Sequence, residues 1–248
     1  MTTPIDAFPI HKKYQCLYID PPWSYGSAGP TIQNQCTDHY PTMDLEELKA
    51  LPICEIADRE SVLFLWATNP QLPKALALIE AWGFDYKTVF KVWRKTNKDG
   101  TPVCVPGWWS RSSTELLLCA AKGSPLTKWK TSNNEPQEYA SVRGAHSEKP
   151  EEIRDMVKNF LNVERRIEIF ARHVVTDWDA WGNDIDGYFH ENTGISSTEL
   201  FEFKRTLGTQ CMPLEVPARK KSGKSGFGGT KGHKPDCMCF ICKKKRGD

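Results

Sequence analysis

Asp20-Pro21-Pro22-Trp23 is the stretch whose residue types and order most directly suit a chemical task. The exocyclic amine of a base such as adenine is a poor nucleophile, because its lone pair is delocalised into the ring. A carboxylate that accepts one N–H and a backbone carbonyl that accepts the other orient that lone pair toward an electrophile. Asp20 and the carbonyl of Pro21 have the chemistry for those roles, and two successive prolines preorganise the acceptors. Trp23 adds a flat face on which a base drawn out of its helix can stack. Asp-Pro-Pro also recurs in ordinary turns, and an aromatic after it can simply pack. Position favours the chemical reading: the tetrapeptide closes residues 15–19, an apolar run that reads as a buried strand, and α/β sheets set their sites at strand ends.

A second set of reactive side chains lies near the other end. His233, Cys237, Cys239 and Cys242 offer four ligands within ten residues, a set that suits tetrahedral zinc. Lys234, Lys243, Lys244, Lys245 and Arg246 flank them and suit phosphate contacts. Residues 217–248 carry a balance of +8 and residues 1–216 one of −6, within a net charge of +2. A basic tail on a mildly acidic body suggests a polyanionic partner. The plainer alternative is a solubilising, reduced tail whose cysteines do nothing. The other six of the nine cysteines are scattered, and the first residues lack a basic-then-apolar leader, so a reducing cytosol is expected and no disulfide framework. No segment approaches the apolar length of a membrane span.

The elements that must position these residues are legible from periodicity. Residues 25–42, rich in Gly, Pro, Asn and Thr, read as a long loop. A helix is expected to start near Asp44, with Glu47 completing a capping box. Residues 61–67 and 114–121 read as buried strands, 86–94 as an alternating one, and 166–171 as a return to strand. Residues 70–82 have helical spacing and stop at Gly83; residues 150–161 read as a helix with Pro150 in its first turn and Ser147 as a candidate cap. From residue 182 to 208 irregular structure is expected, with one short helix around 198–206. Strands alternating with helices predict an α/β sheet covered on both faces. The organisation is then a 1–212 domain, a Gly/Ser/Lys linker over 213–232, and the Cys/His tail over 233–248.

With its surroundings, YIDPPWSYG resembles the signature of the MT-A family of adenine methyltransferases. The likeness continues in order through Tyr40-Pro41-Thr42-Met43, Leu65-Trp66-Ala67-Thr68, Trp93-Arg94-Lys95-Thr96, Gly107-Trp108-Trp109, Thr114-Glu115, Lys149-Pro150-Glu151-Glu152-Ile153, Ile167-Glu168-Ile169-Phe170, Arg172, and Trp178 with Gly182-Asn183. It covers roughly residues 13–190, and an ordered set is far more specific than one motif. The resemblance implies a Rossmann-like methyltransferase with circularly permuted motif order, in which the catalytic strand comes first and the S-adenosylmethionine strand late. That order accounts for the missing glycine-rich fingerprint after the first strand.

The resemblance also distributes roles. Asp20, Pro21, Pro22 and Trp23 form the catalytic set, with Tyr25, His39, Tyr40 and Trp93 around the base. Asp20, Ser147, Lys149, Glu168, Arg172, Asn183 and Asp184 hold the cofactor. Glu168 takes its ribose hydroxyls, and Ser147 and Lys149, at a helix start, face its carboxylate. His146 helps to shape that end. Two departures stand out: Thr114 occupies the position of a lysine that neutralises the cofactor carboxylate in the mRNA-modifying members, and before Asp20 only Ile5 and Asp6 offer contacts to the cofactor adenine. The expected activity is methyl transfer to the N6 amine of adenine in DNA, in a bacterial or phage-infected cytoplasm. RNA methylation and a catalytically inactive nucleic-acid-binding partner are the alternatives. Oligomeric state is not legible.

Overall fold

The computed structural model describes residues 8–9, 12–24, 42–105, 109–144, 148–182, 185 and 187–189, all within the first of the chain's two units, Met1–Pro213. Strand β1 is Tyr14–Ile19. Short helices α1 (Leu45–Lys49) and α2 (Ile53–Ile56) lead into β2 (Ala57–Thr68), and a 3-10 turn at Asn69–Gln71 runs into α3 (Leu72–Ala81). Then come β3 (Asp85–Thr96), β4 (Thr114–Lys122), α4 (Leu126–Trp129), β5 (Glu138–Val142), α5 (Glu151–Phe160), β6 (Arg166–Ile169), β7 (Asp179–Gly182) and β8 (Gly187–Phe189). The expected start at Asp44 is a full capping box: Asp44 accepts from the Glu47 amide at 2.9 Å and Glu47 accepts from the Asp44 amide at 2.8 Å. Gly83, with φ of 77°, ends α3 where expected, in a left-handed turn that favours glycine.

The eight strands make one mixed sheet in the order β5-β3-β4-β2-β1-β6-β7-β8. Alternation along the strands sorts their side chains to two faces. Leu17, Ile19, Leu63, Leu65, Leu118, Ile167 and Ile169 pack with α1, α2 and α3 through Leu48, Ile53, Leu78 and Ile79. Cys16, Tyr18, Val62, Phe64, Trp66, Leu117 and Cys119 pack on the other face with α5 through Ile153, Val157 and Phe160. The predicted two-sided α/β architecture is therefore observed, although β4 runs antiparallel to both of its neighbours.

Strand β1 pairs in parallel with β2 on one side and with β6 on the other. The chain leaves β1 toward β2 and returns much later beside it as β6, so the strand order reverses at this pair. Such a switch point opens a crevice at the carboxyl ends of the strands, where α/β sheets bind ligands. The register Tyr18↔Glu168 and Ile19↔Ile169 sets Asp20 and Phe170 at the mouth of that crevice.

The tetrapeptide at the end of β1 is held on every side. The Trp23 amide donates to the Pro21 carbonyl at 2.8 Å and the Met43 amide to the Pro22 carbonyl at 2.9 Å. The Ser24 carbonyl accepts from Gln71 at 3.2 Å and from Lys74 at 3.1 Å. Two short strands went unread in the sequence: β5, and β7, which is only four residues long. The irregular chain expected from residue 182 is corrected by β8, which pairs antiparallel with β7; three residues leave no readable period. The loop residues 25–41 and the helix expected around 198–206 lie outside the described residues. Among the described residues no helix is long and apolar enough to cross a membrane.

After β6, Phe170 adopts φ of 65°, a left-handed conformation that is strained for a bulky side chain and persists only where its surroundings enforce it. They do so through β7. The Ala171 amide donates to the Trp181 carbonyl at 3.0 Å, the Phe170 and Trp181 rings meet at 5.6 Å, and a Cβ on Gly182 would fall 2.3 Å from the Ala171 carbonyl oxygen. Gly182→Ala is therefore expected to push β7 off this turn and destabilise the fold by about 2 kcal/mol. Urea unfolding checks this, and an unchanged midpoint would disprove the close-approach role.

Candidate active site

The carboxyl ends of β1 and β6, the start of β4 and the entry to α5 converge on one cluster of charge. The Lys149 ammonium lies 2.7 Å from Asp20 Oδ2 and 3.4 Å from Glu115 Oε2, and Lys95 from β3 also pairs with Glu115. Lys149 rests over the Trp66 ring, 5.6 Å from its centroid, and Trp66 Nε1 donates to the Tyr18 hydroxyl at 2.7 Å. Beside this set, Arg154 of α5 pairs with Glu168 of β6 at 2.8 Å. Tyr18, Asp20, Lys149, Arg154, Glu168, Phe170, Arg172 and His173 line a single cleft.

Burial sets the electrostatics. It raises the Asp20 carboxyl above its ordinary pKa, with Lys149 pulling the other way. Burial also raises Glu168, against the pull of Arg154. Glu115 goes down instead: burial opposes ionisation there too, but the ammonium groups of Lys149 and Lys95 outweigh it. Burial resists the charge on Lys149 as well, yet Asp20 and Glu115 hold its pKa above the usual lysine value. Burial, with Glu168 nearby, keeps the Tyr18 hydroxyl protonated well above its ordinary range. Two carboxylates drawn toward neutrality in one cleft, each beside a largely buried cation, mark a candidate ligand site.

The donor set fits S-adenosylmethionine. Carboxylates at Asp20 and Glu168 suit ribose hydroxyls and a cationic sulfonium or ammonium, while Lys149 and Arg172 suit a carboxylate. Arg154 Nε, in the same cleft, is buried with no hydrogen-bond partner among the described residues, as a group awaiting a ligand would be.

Of the residues expected at the site, the structure brings together Asp20, Lys149, Glu168 and Arg172, with Pro21 and Pro22 alongside. Trp23 is placed otherwise than expected. Its ring is 5% exposed within the core beneath α1, and its Nε1 donates to the Trp66 carbonyl at 3.3 Å. It braces the turn and offers no open face to a base. Trp93 is likewise only 2% exposed, donating to Ser141 Oγ at 2.9 Å and packing against Trp66. Trp93 follows the alternation of a sheet buried on two faces, while Trp23 lies past the end of β1 and is tucked into the core by its bridge to Met43. Tyr25, His39, Tyr40, His146, Ser147, Asn183, Asp184, Ile5, Asp6, His233, Cys237, Cys239 and Cys242 lie outside the described residues. Within those described, no group of His, Cys, Asp or Glu could hold a metal ion.

Sequence reading assigned no role to Glu115, Lys95, Arg154, Tyr18 or Trp66. Arg154 carried a usable signal: it falls on the apolar face of α5 beside Ile153 and Val157, where an arginine must find a partner.

The MT-A70 family model matches residues 14–184. The chain is 36% identical over 190 residues to the Type II methyltransferase M.MunI of a Mycoplasma species, covering 70% of this chain and 78% of that protein. It is 28% identical to the N(6)-adenosine-methyltransferase MT-A70-like protein of Drosophila melanogaster, over 71% of this chain and 27% of that one. The N(6)-adenosine-methyltransferase catalytic subunit of Homo sapiens is also 28% identical, over 72% and 29% respectively. The chain thus spans less than a third of these two longer relatives.

Arg154→Met leaves the Glu168 carboxylate buried without its cation. The expected loss of stability is about 3 kcal/mol at neutral pH. Because the buried carboxyl already has a raised pKa, the loss should shrink as the pH falls and Glu168 takes a proton. Chemical denaturation across a pH series checks this; a loss that stays constant or grows toward acid contradicts it.

Proposed function

The chain belongs to the MT-A70 family of methyltransferases, and from that premise we propose that it transfers a methyl group from S-adenosylmethionine to the exocyclic N6 amine of adenine in DNA. The observation that carries the reading is Asp20 itself: a half-buried carboxylate at the switch-point end of β1, fixed by two prolines and contacted by Lys149.

When bound, S-adenosylmethionine supplies the electrophilic methyl group. The protein supplies orientation. Lys149 engages Asp20 Oδ2 and favours the ionised carboxylate against the effect of burial; Oδ1 is the acceptor we assign to one amine N–H. The Pro21 carbonyl already accepts from the Trp23 amide, but a carbonyl oxygen has two lone pairs, and the second is directed to the other amine N–H. As the amine is methylated it becomes cationic, and the Asp20 carboxylate both stabilises that charge and stands ready to take the proton the amine sheds. Burial, by raising the proton affinity of Asp20, favours that last transfer. Glu168, Arg172 and Lys149 are assigned to the cofactor, together with Ser147, Asn183 and Asp184. Tyr25, His39 and Tyr40 are assigned to the base.

DNA is favoured over RNA by build. The chain matches the Type II methyltransferase over most of that protein's length and the N(6)-adenosine methyltransferases over a small part of theirs. The permuted motif order belongs to the same reading, as does the division into a catalytic domain, a 213–232 linker and a basic tail. In that tail His233, Cys237, Cys239 and Cys242 are assigned to a zinc ion.

Incubation with labelled cofactor and either DNA or RNA tests the activity. Label is expected on adenine of DNA, with a loss of at least about a hundredfold in Asp20→Ala. Unlabelled adenine, or equal activity of wild type and variant, refutes the assignment, and preferential labelling of RNA replaces the substrate. Metal analysis tests the tail: wild type is expected to carry stoichiometric zinc and Cys237→Ser to lose it, and equal zinc content in the two ends that assignment.

A further inference from the structure

The end of the sheet that carries Asp20 also carries a surface the catalytic scheme does not use. Among the described residues six large hydrophobic side chains are exposed, and three of them lie here: Val105, Trp109 and Val142, at 52%, 101% and 48%. Val142 ends β5, level with Thr96 at the end of β3. Val105 and Trp109 belong to the hairpin that joins β3 to β4. Because β4 runs antiparallel to β2, with Thr68 opposite Glu115, this hairpin emerges at the same end of the sheet as the tetrapeptide.

The hairpin is tied to the site by direct contacts. The Val103 amide donates to the Lys95 carbonyl at 2.9 Å, Lys95 pairs with Glu115, and Glu115 leads through Lys149 to Asp20. Its base is stiff. Val105 and Ser112 exchange both backbone hydrogen bonds, at 2.8 and 3.0 Å, and Asp99 closes the turn by accepting from Thr101. Lys98 and Arg111 on the same hairpin and Arg143, next to Val142, are exposed, and the Arg143 amide donates to the Thr96 carbonyl at 3.0 Å. A solvent-facing indole with exposed cations on its own hairpin and on the adjoining strand end suits a partner with flat apolar faces and a negatively charged backbone, which is a nucleic acid.

We infer that this hairpin is a duplex-opening element: Trp109 enters the base stack where the target adenine leaves it, and Lys98, Arg111 and Arg143 hold the flanking phosphates. The inference rests on the adenine-methylation reading and deepens it. An adenine inside a duplex cannot reach a carboxylate that lines a cleft, so it must be extruded, and extrusion leaves a gap in the stack. An apolar side chain inserted at a base step offsets that loss. Trp109 has the flat shape and exposure for this, whereas Trp23 and Trp93 are committed to the core.

The test uses the full chain and two duplexes that carry the target sequence, mapped by sequencing modified bases in DNA from cells expressing the protein. In one the target adenine is paired with thymine; in the other it faces an abasic site and is already unpaired. Trp109→Ala is expected to lower kcat/KM about tenfold on the paired duplex and less than twofold on the abasic one, with Trp109→Phe recovering most of the loss. Equal losses on both duplexes, or no loss on either, overturn the inference. So does sedimentation showing that Trp109→Ala turns a dimer into a monomer, which makes the patch a contact between copies. A wild type that methylates no adenine condemns the reading of the site instead. The hairpin is then judged by 2-aminopurine placed at an adenine position of a duplex: brightening by wild type that is lost in Trp109→Ala supports it, and no difference overturns it.

Discussion

The Lys149 ammonium, set between Asp20 and Glu115, is the contact on which the rest of the site depends. Its partners come from the end of β1 and the start of β4, which flank the end of β2, and Lys149 itself comes from the segment entering α5. Three separate parts of the fold must be in register for one cation to meet both carboxylates. Such a cluster adds little net stability, since desolvating the charges costs about what their attraction returns. What it achieves is a difference between two carboxylates. Glu115, facing two lysines, is held ionised, while Asp20, sharing one, is left with a raised proton affinity. A carboxylate that is charged yet ready for a proton is what orientation and deprotonation of a weak amine require.

The other side of the crevice depends on a strained turn. Phe170 is left-handed and separates Glu168, whose register with Tyr18 is fixed by β-pairing, from Arg172. A regular continuation of β6 would send the chain along the sheet. The left-handed residue turns it, so that Glu168, Phe170 and Arg172 all line one cleft. The strain is borne by β7, through the Trp181 carbonyl and the bare face of Gly182. That explains why a four-residue strand with almost no sequence signature lies so close to the site.

The parts of this arrangement written locally were legible in the sequence. The capping box at Asp44, the stop at Gly83, and the long apolar strands each follow from neighbours a few residues apart. Asp20 was legible because prolines and position mark it, and Lys149, Glu168 and Arg172 because they sit in ordered motifs. Glu115, Lys95 and Arg154 received no role, because their meaning is a pairing across the fold; Lys149 and Asp20 are themselves 129 residues apart in the chain. Trp23 shows the opposite failure. Beside a catalytic motif an aromatic invites a stacking role, but the bridge to Met43 and the bond to the Trp66 carbonyl decide where the ring goes, and they send it to the core.

The mixed direction of the sheet then has a functional sense. In an all-parallel sheet every strand ends at the ligand side and every loop there leads away to a helix. Here β4 begins where β1 and β2 end, so Glu115, its second residue, enters the site from a strand start. The same reversal turns the β3–β4 connection into a hairpin projecting from the ligand side, with β5 ending alongside. The ends of β1 and β6, with the start of α5, form the cleft assigned to the cofactor; the half built on β3, β4 and β5 carries the exposed indole and the cations. The two halves meet at Lys149, which touches the carboxylate of one and the carboxylate of the other. In the proposed reading, Asp20 is where both substrates are brought into line.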